Sequence, residues 1–159
     1  EYKTNKGHEI SSTKIRNHLA AGDCENAALL LGRNWQIKSY VEKGDMRGRQ
    51  LGFPTANLPL NEYVYPAKGV YAVKVQFDDG LGKHIFNGVA NFGSRPTFNK
   101  NDVILEVHIF DFHGDIYGLE IKVEFIKFIR HEKKFSDLSL LKSQLNEDCK
   151  AAKNIVSKI

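Results

Sequence analysis

Three stretches of two-residue alternation, set between turn residues, constrain this chain more than any other feature. In Val70 to Phe77, Tyr71, Val73, Val75 and Phe77 share one face while Lys74 and Gln76 take the other. Side chains of a strand point to opposite faces in turn, so this is the pattern of a half-buried strand. Asp79-Gly80 follows as a hairpin turn, because glycine adopts the positive φ that such turns need, and His84 to Phe92 reads as the returning strand. Val103 to Asp111 alternates again, with Leu105, Val107 and Ile109 on one face. After the turn His113-Gly114-Asp115, Leu119 to Phe128 places Leu119, Ile121, Val123 and Phe125 inward, with Glu120, Lys122 and Glu124 outward. Trp35 to Glu42 is a first strand. Short strands at this spacing predict an antiparallel barrel between about residues 34 and 130.

Helical signals flank the barrel. Ser12 and Asp23 are cap residues for two short helices between Ser11 and Gly32, with Gly22 and Gly32 as left-handed stops. They predict a hairpin over one end of the barrel. From Ser136 to Ser157, Leu138, Leu141, Leu145, Ala152 and Val156 form one apolar stripe. Ser136 or Asp137 caps this helix, which is expected to pack on the barrel's outside.

The bulk properties narrow the function classes. The chain has 159 residues, 42% of them hydrophobic and 26% charged, which fits a globular domain and not a disordered one. A net charge of +4 suits an anionic ligand such as a nucleotide. No basic run is long enough for a nucleic-acid arm, and nucleic acid is not an expected partner. No run approaches the ~18 apolar residues of a membrane span. The polar start has no signal-peptide core, so neither a membrane nor a secretory route is expected and the cytoplasm is. The chain does not begin with Met and reads as a fragment of a longer protein. Cys24 and Cys149, far apart and outside any Cys-x-x-Cys pair, read as small buried apolar residues, a disulfide being the alternative. The histidines have no zinc-ligand spacing, and no nucleophile elbow occurs.

Three segments could carry chemistry. Residues 44–57 read Gly-Asp-Met-Arg-Gly-Arg-Gln-Leu-Gly-Phe-Pro-Thr-Ala-Asn. Their glycines let backbone N–H groups approach a ligand, and Arg47 and Arg49 can pair with phosphate. Thr55 and Asn57, two apart on extended backbone, face the same way and offer hard oxygens to a cation such as Mg²⁺. By itself the segment is more often an ordinary turn, and the P-loop pattern is absent. Glu106 shares its face with Ile104, His108 and Phe110. Desolvation there would make it a stronger base; the competing reading is a strand glutamate facing solvent beside His108. Residues 128–135 mix aromatic and cationic side chains, which suits a flat aromatic ligand with a phosphate, or a solvated loop.

Together these segments are far more specific. Gly-Arg-Gln-Leu-Gly-Phe-Pro-Thr-Ala-Asn-Leu at 48–58, Gly-Val-Tyr-Ala-Val at 69–73 and Gly-Val-Ala-Asn-Phe-Gly-Ser-Arg-Pro-Thr-Phe at 88–98 occur in order. Leu-Glu-Val-His-Ile-Phe-Asp-Phe at 105–112, Asp-Ile-Tyr-Gly at 115–118 and Phe-Ile-Arg-His-Glu-Lys-Lys-Phe at 128–135 follow. From Gly32 to Lys150 the chain resembles the riboflavin kinase family. Ile10 to Arg16, Gly22-Asp23 and Leu30 to Arg33 resemble the tail of the FMN adenylyltransferase module that is fused ahead of the kinase in bacterial bifunctional FAD synthetases.

The resemblance implies a mainly β fold: a small antiparallel Greek-key barrel with a C-terminal helix outside and a short N-terminal helical hairpin. It divides the chain into a module tail at 1–32 and a kinase domain at 33–159. It implies ATP- and Mg²⁺-dependent phosphorylation of riboflavin to FMN, as a phosphotransferase. Thr55 and Asn57 would hold Mg²⁺ and phosphates, while Gly44 and Arg49 would cover the nucleotide. Ile109, Asp111 and Tyr117 would pack its adenine end. Glu106 would be the catalytic base, and Arg130, Lys133 and Phe135 would close on the flavin. An N-terminal adenylyltransferase module is the implied partner in the parent chain. No His-x-Gly-His motif occurs here, so FAD synthesis by this chain alone is not expected. The rival readings are a non-catalytic flavin- or nucleotide-binding barrel and an oligonucleotide-binding barrel.

Overall fold

Apolar alternation dictates a barrel whose inner face is filled by its own side chains. The computed structural model describes residues 2–3 and 9–10 (backbone), 12–43, 52–60, 64–94 and 102–159. In chain order the elements are β1 (Tyr2–Lys3), β2 (Glu9–Ile10), α1 (Ser12–Ala20), α2 (Cys24–Leu31), β3 (Gln36–Tyr40) and β4 (Ala56–Pro59). They continue with β5 (Gly69–Asp78), β6 (Lys83–Ser94), β7 (Val103–Ile109), β8 (Glu120–His131) and α3 (Leu138–Val156).

Strands β1 and β2 pair antiparallel as a separate two-stranded sheet that the sequence does not announce. The main sheet has the order β3-β8-β5-β6-β7-β4, antiparallel throughout. Strands β5, β6 and β7 form a meander, and β8 returns beside β5, which is Greek-key connectivity. The two edges meet: Ser39 Oγ donates to the Pro59 carbonyl at 2.9 Å, and Glu42 N donates to the Asn57 carbonyl at 2.8 Å. The six strands therefore wrap into a nearly closed barrel, as expected.

The inner face carries Ile37, Leu58, Tyr71, Val73, Phe92, Leu105, Val107, Ile121 and Phe125, each essentially without solvent exposure. The alternation of β8 breaks where the sheet demands it. Register shifts against β5 leave Ile126 and Ile129 as extra residues, so Phe125 and Phe128, three apart, both join the inner cluster. Such bulges re-aim side chains. Here they turn Ile126 and Ile129 toward the outer cluster of Val70, Ala72, Val89, Phe110, Cys149 and Ala152, on which α3 packs.

The second helix and both glycine stops form as expected, whereas Ser12, expected as the cap of α1, is its first helical residue. Asp23 Oδ1 accepts from Asn26 N at 3.1 Å, Gly22 has φ 78°, and Gly32 closes α2 with φ 76°. Leu19, Cys24 and Ala27 are buried in the barrel's own core cluster. Asp137 caps α3, accepting from Leu140 N at 2.8 Å. The predicted α3 stripe needs one correction. Leu138 is 58% exposed, and Cys149 fills the step between Leu145 and Ala152. Both cysteines are free and buried. Burial pushes the Cys24 thiol up to about 12. Among the described residues no helix is long and apolar enough to cross a membrane.

Candidate active site

Cross-strand partners in a sheet share a face, so register alone assembles the site. Glu106 in β7 stands opposite Asn57 in β4 on one side and opposite Asn91 in β6 on the other. Asn91 faces Val70, and Val70 faces Arg130 in β8. One row across five strands thus reads Arg130, Val70, Asn91, Glu106, Asn57. It lies on the outer face, because its neighbours Tyr71, Ala90, Val107 and Ala56 point into the barrel core. Asn57 is 5% exposed, one of only two buried polar side chains among the described residues.

Among the described residues two cavities meet at Thr55, one on this outer face and one on the inner side, where Val41, Ala56, Val107 and Ile109 of the core line it. The first, about 300 Å³, lies between the outer face and α3. Thr55, Glu106 and His108 line one side, Arg130, Lys133 and Phe135 another, and Leu141, Leu145 and Cys149 of α3 the back. Desolvation pushes the Cys149 thiol up, so it remains a neutral part of the wall. The second cavity, about 600 Å³, is lined by Lys43, Pro54, Thr55, Ile109 and Tyr117 together with the 112–116 turn. Thr55 belongs to both. The Lys43 ammonium lies 5.5 Å from the centre of the Tyr117 ring, within cation–π range.

The sequence-predicted residues distribute as follows. Glu106, Arg130, Lys133 and Phe135 meet in the first cavity, and Ile109 and Tyr117 in the second, with Thr55 between. Asn57 faces Glu106 across the strands. Asp111 sits at the exposed turn beyond Ile109 with φ 58° and is not part of either wall. Gly44 and Arg49 lie outside the described residues. Arg130 is committed within the protein: Nε and Nη2 donate to the Asp148 carboxylate at 2.8 and 2.7 Å, and its guanidinium lies 6.0 Å from the Phe135 ring centre. Gln144 Nε2 adds a third bond to Asp148 at 3.0 Å.

Sequence reasoning missed His108, Asn91, Lys43 and Asp148. His108 was accessible in principle, being two residues from Glu106 on an alternating strand. Asn91 and Asp148 depend on pairing and docking between elements distant in sequence, for which one chain carries no local signal. Among the described residues no group of three His, Cys, Asp or Glu side chains could hold a metal ion. Thr55 and Asn57 supply neutral oxygens, the donor chemistry that Mg²⁺ accepts when substrate phosphates complete its shell.

Comparison with known proteins decides the family. The family model for flavokinase, that is riboflavin kinase, matches residues 31–156. The chain belongs to the riboflavin kinase family. A bifunctional riboflavin kinase/FMN adenylyltransferase from Haemophilus influenzae is 50% identical over 144 residues, covering 91% of this chain and 46% of that protein. The protein of the same description from Bacillus subtilis is 43% identical over 152 residues, covering 93% and 47%. This riboflavin kinase family chain thus spans about half the length of the curated relatives it matches. A crystal structure described as a macrolide-efflux protein from Streptococcus pneumoniae superposes with TM-score 0.84 at 37% identity, over 96% of this chain and 49% of that one. The riboflavin kinase of Trypanosoma brucei shares the fold, with TM-score 0.59 at 21% identity over 77% of each chain.

Proposed function

We propose that this chain transfers the γ-phosphoryl group of ATP to the ribityl 5′-hydroxyl of riboflavin, giving FMN and ADP. The observation that carries the reading is that Thr55 lines both cavities, beside the facing pair Asn57 and Glu106. A two-substrate phosphoryl transfer needs two adjoining sites that meet at the reacting atoms. The first cavity has an apolar back and cationic front suited to a flavin. The second has an aromatic and a cation suited to a nucleotide base.

Glu106 accepts the proton of the 5′-hydroxyl while that oxygen bonds to the γ-phosphorus. The bond from phosphorus to the bridging oxygen breaks, and the electrons leave with ADP. Thr55 and Asn57 would hold Mg²⁺ together with the phosphates, and the bound ion would supply neutralisation of their charge. Gly44 and Arg49 would cover the nucleotide, with Ile109 and Tyr117 at its adenine end; Asp111, outside that wall, drops out of the reading. Lys133 and Phe135 close over the flavin, and Arg130 holds that side of the pocket. Positioning and charge neutralisation account for most of such catalysis. We further propose that residues 1–32 are the tail of an adenylyltransferase module and 33–159 the kinase. On this reading the parent protein works in the cytoplasm, where ATP is available, and the present chain makes no FAD by itself.

The test incubates the purified chain with riboflavin, ATP and Mg²⁺ and separates the flavins by chromatography with fluorescence detection. FMN without FAD is expected. Riboflavin bound but not converted would replace the reading with a non-catalytic binding barrel.

A further inference from the structure

His108 is a side chain of the first cavity that the proposed chemistry does not use. Its position follows from register. Ala56 opposes Val107 and Asn57 opposes Glu106, so the next step along the pair brings Thr55 alongside His108. Thr55, Asn57, Glu106 and His108 thus form a square on the outer face. Nδ1 of His108 lies 2.8 Å from the Pro54 carbonyl oxygen. A carbonyl only accepts, so Nδ1 carries a proton and donates. The ring is wedged edge-on between Phe53 (centroids 5.6 Å, 71°) and Phe110 (5.8 Å, 74°). Hydrogen bond and packing together fix the ring, and the ring fixes the peptide that leads directly into Thr55.

We infer that His108 is a positioning residue. Through Pro54 it holds the Thr55 hydroxyl at the junction of the two cavities, where phosphates and cation would meet. The inference rests on the kinase reading above. Pro54 has no N–H, so it cannot take part in the β4–β7 ladder as a donor, and β4 begins only at Ala56. Just where Thr55 must be placed, the backbone ladder is absent and the imidazole takes over its role.

Three variants separate placement from packing. H108F keeps an aromatic ring between Phe53 and Phe110 but removes the donor. H108N sets an amide N–H near the position of Nδ1. H108Q carries its amide one carbon too far to reach Pro54. Misplacing a reacting group by about 1 Å can cost ~10²-fold, so H108F is expected to raise the KM for MgATP and the Mg²⁺ requirement by at least about tenfold. Riboflavin affinity, read from flavin fluorescence quenching, reports the change in the first cavity's own wall, and the loss for MgATP in H108F is expected to exceed it. H108N should recover most of the loss and H108Q little of it. An H108F enzyme with unchanged MgATP and Mg²⁺ titrations overturns the inference, as does equal impairment in H108N and H108Q. The second comparison decides the matter should H108F fail to fold. Wild-type chain that makes no FMN overturns the kinase reading and this inference together; wild-type turnover matched by H108F overturns the inference alone.

Discussion

Glu106 and Asn57 face each other across β4 and β7 yet have different tasks in the proposed reaction, and substitution should separate them. A general base contributes about 10²–10⁴-fold, so Glu106→Gln is expected to lower kcat by that factor. The amide keeps the shape of the side chain, so ATP binding should remain nearly intact. Isothermal titration with a non-hydrolysable ATP analogue, beside the turnover assay, reads both; normal turnover in this variant would remove Glu106 from the mechanism. Asn57→Ala should instead raise the Mg²⁺ concentration needed for half-maximal rate, and an unchanged metal titration would count against its role as a ligand. These residues were legible because they lie in contiguous motifs: Thr55 and Asn57 share a face by spacing, and Glu106 stands out among apolar neighbours. Asn91, which completes the row, was not legible, because its neighbourhood is created by the pairing of β6 with β7.

At the scale of elements, α3 is held to the barrel by more than its apolar stripe. The Arg130–Asp148 pair is bidentate and largely buried, with side-chain exposures of 16% and 3%. Breaking a buried pair by removing one partner leaves an uncompensated charge and costs about 3–5 kcal/mol. Asp148→Ala is therefore expected to destabilise by that amount in urea unfolding. Replacing both residues by apolar ones of similar volume should cost far less. A loss in the double variant equal to the sum of the two single losses would show that the pair does not act as a unit. The long strands and α3 were readable from periodicity. Strand β4 was read only as an extended segment, since four residues ending in Pro59 carry too little pattern. The bulges of β8 were hidden for another reason: Ile126 and Ile129 are extra residues only relative to β5. Gly69 shows how tightly β5 and β8 meet. A Cβ there would stand 2.2 Å from the Arg130 carbonyl oxygen, so Gly69→Ala must displace backbone and is expected to cost roughly 1–3 kcal/mol in the same assay.

For the whole molecule, the proposed module boundary and the folding boundary need not coincide. The family match begins at residue 31, close to the proposed division after residue 32. Leu19, Cys24 and Ala27, on the other side of that division, are 1%, 2% and 0% exposed within the barrel's core cluster. The Ala67 amide donates to the Leu19 carbonyl at 2.9 Å. Gly22 packs so closely on Phe128 that a Cβ would lie 3.1 Å from the ring. The hairpin therefore closes the end of the barrel that Phe125 and Phe128 would otherwise open to water. Burying a large apolar side chain contributes about 1.5–3 kcal/mol. Deleting the hairpin removes Leu19 and its neighbours and also exposes the aromatics beneath them. A loss of roughly 5 kcal/mol follows, much of the ~5–15 kcal/mol that holds a typical domain folded. At about 2–4 °C per kcal/mol for a chain of this size, a protein trimmed to residues 33–159 should melt at least ~10 °C lower or fail to fold. The intact chain should show a single transition by both circular dichroism and aromatic fluorescence. An unchanged melting temperature after trimming would make the hairpin a passive appendage, and the kinase domain would then fold on the barrel and α3 alone.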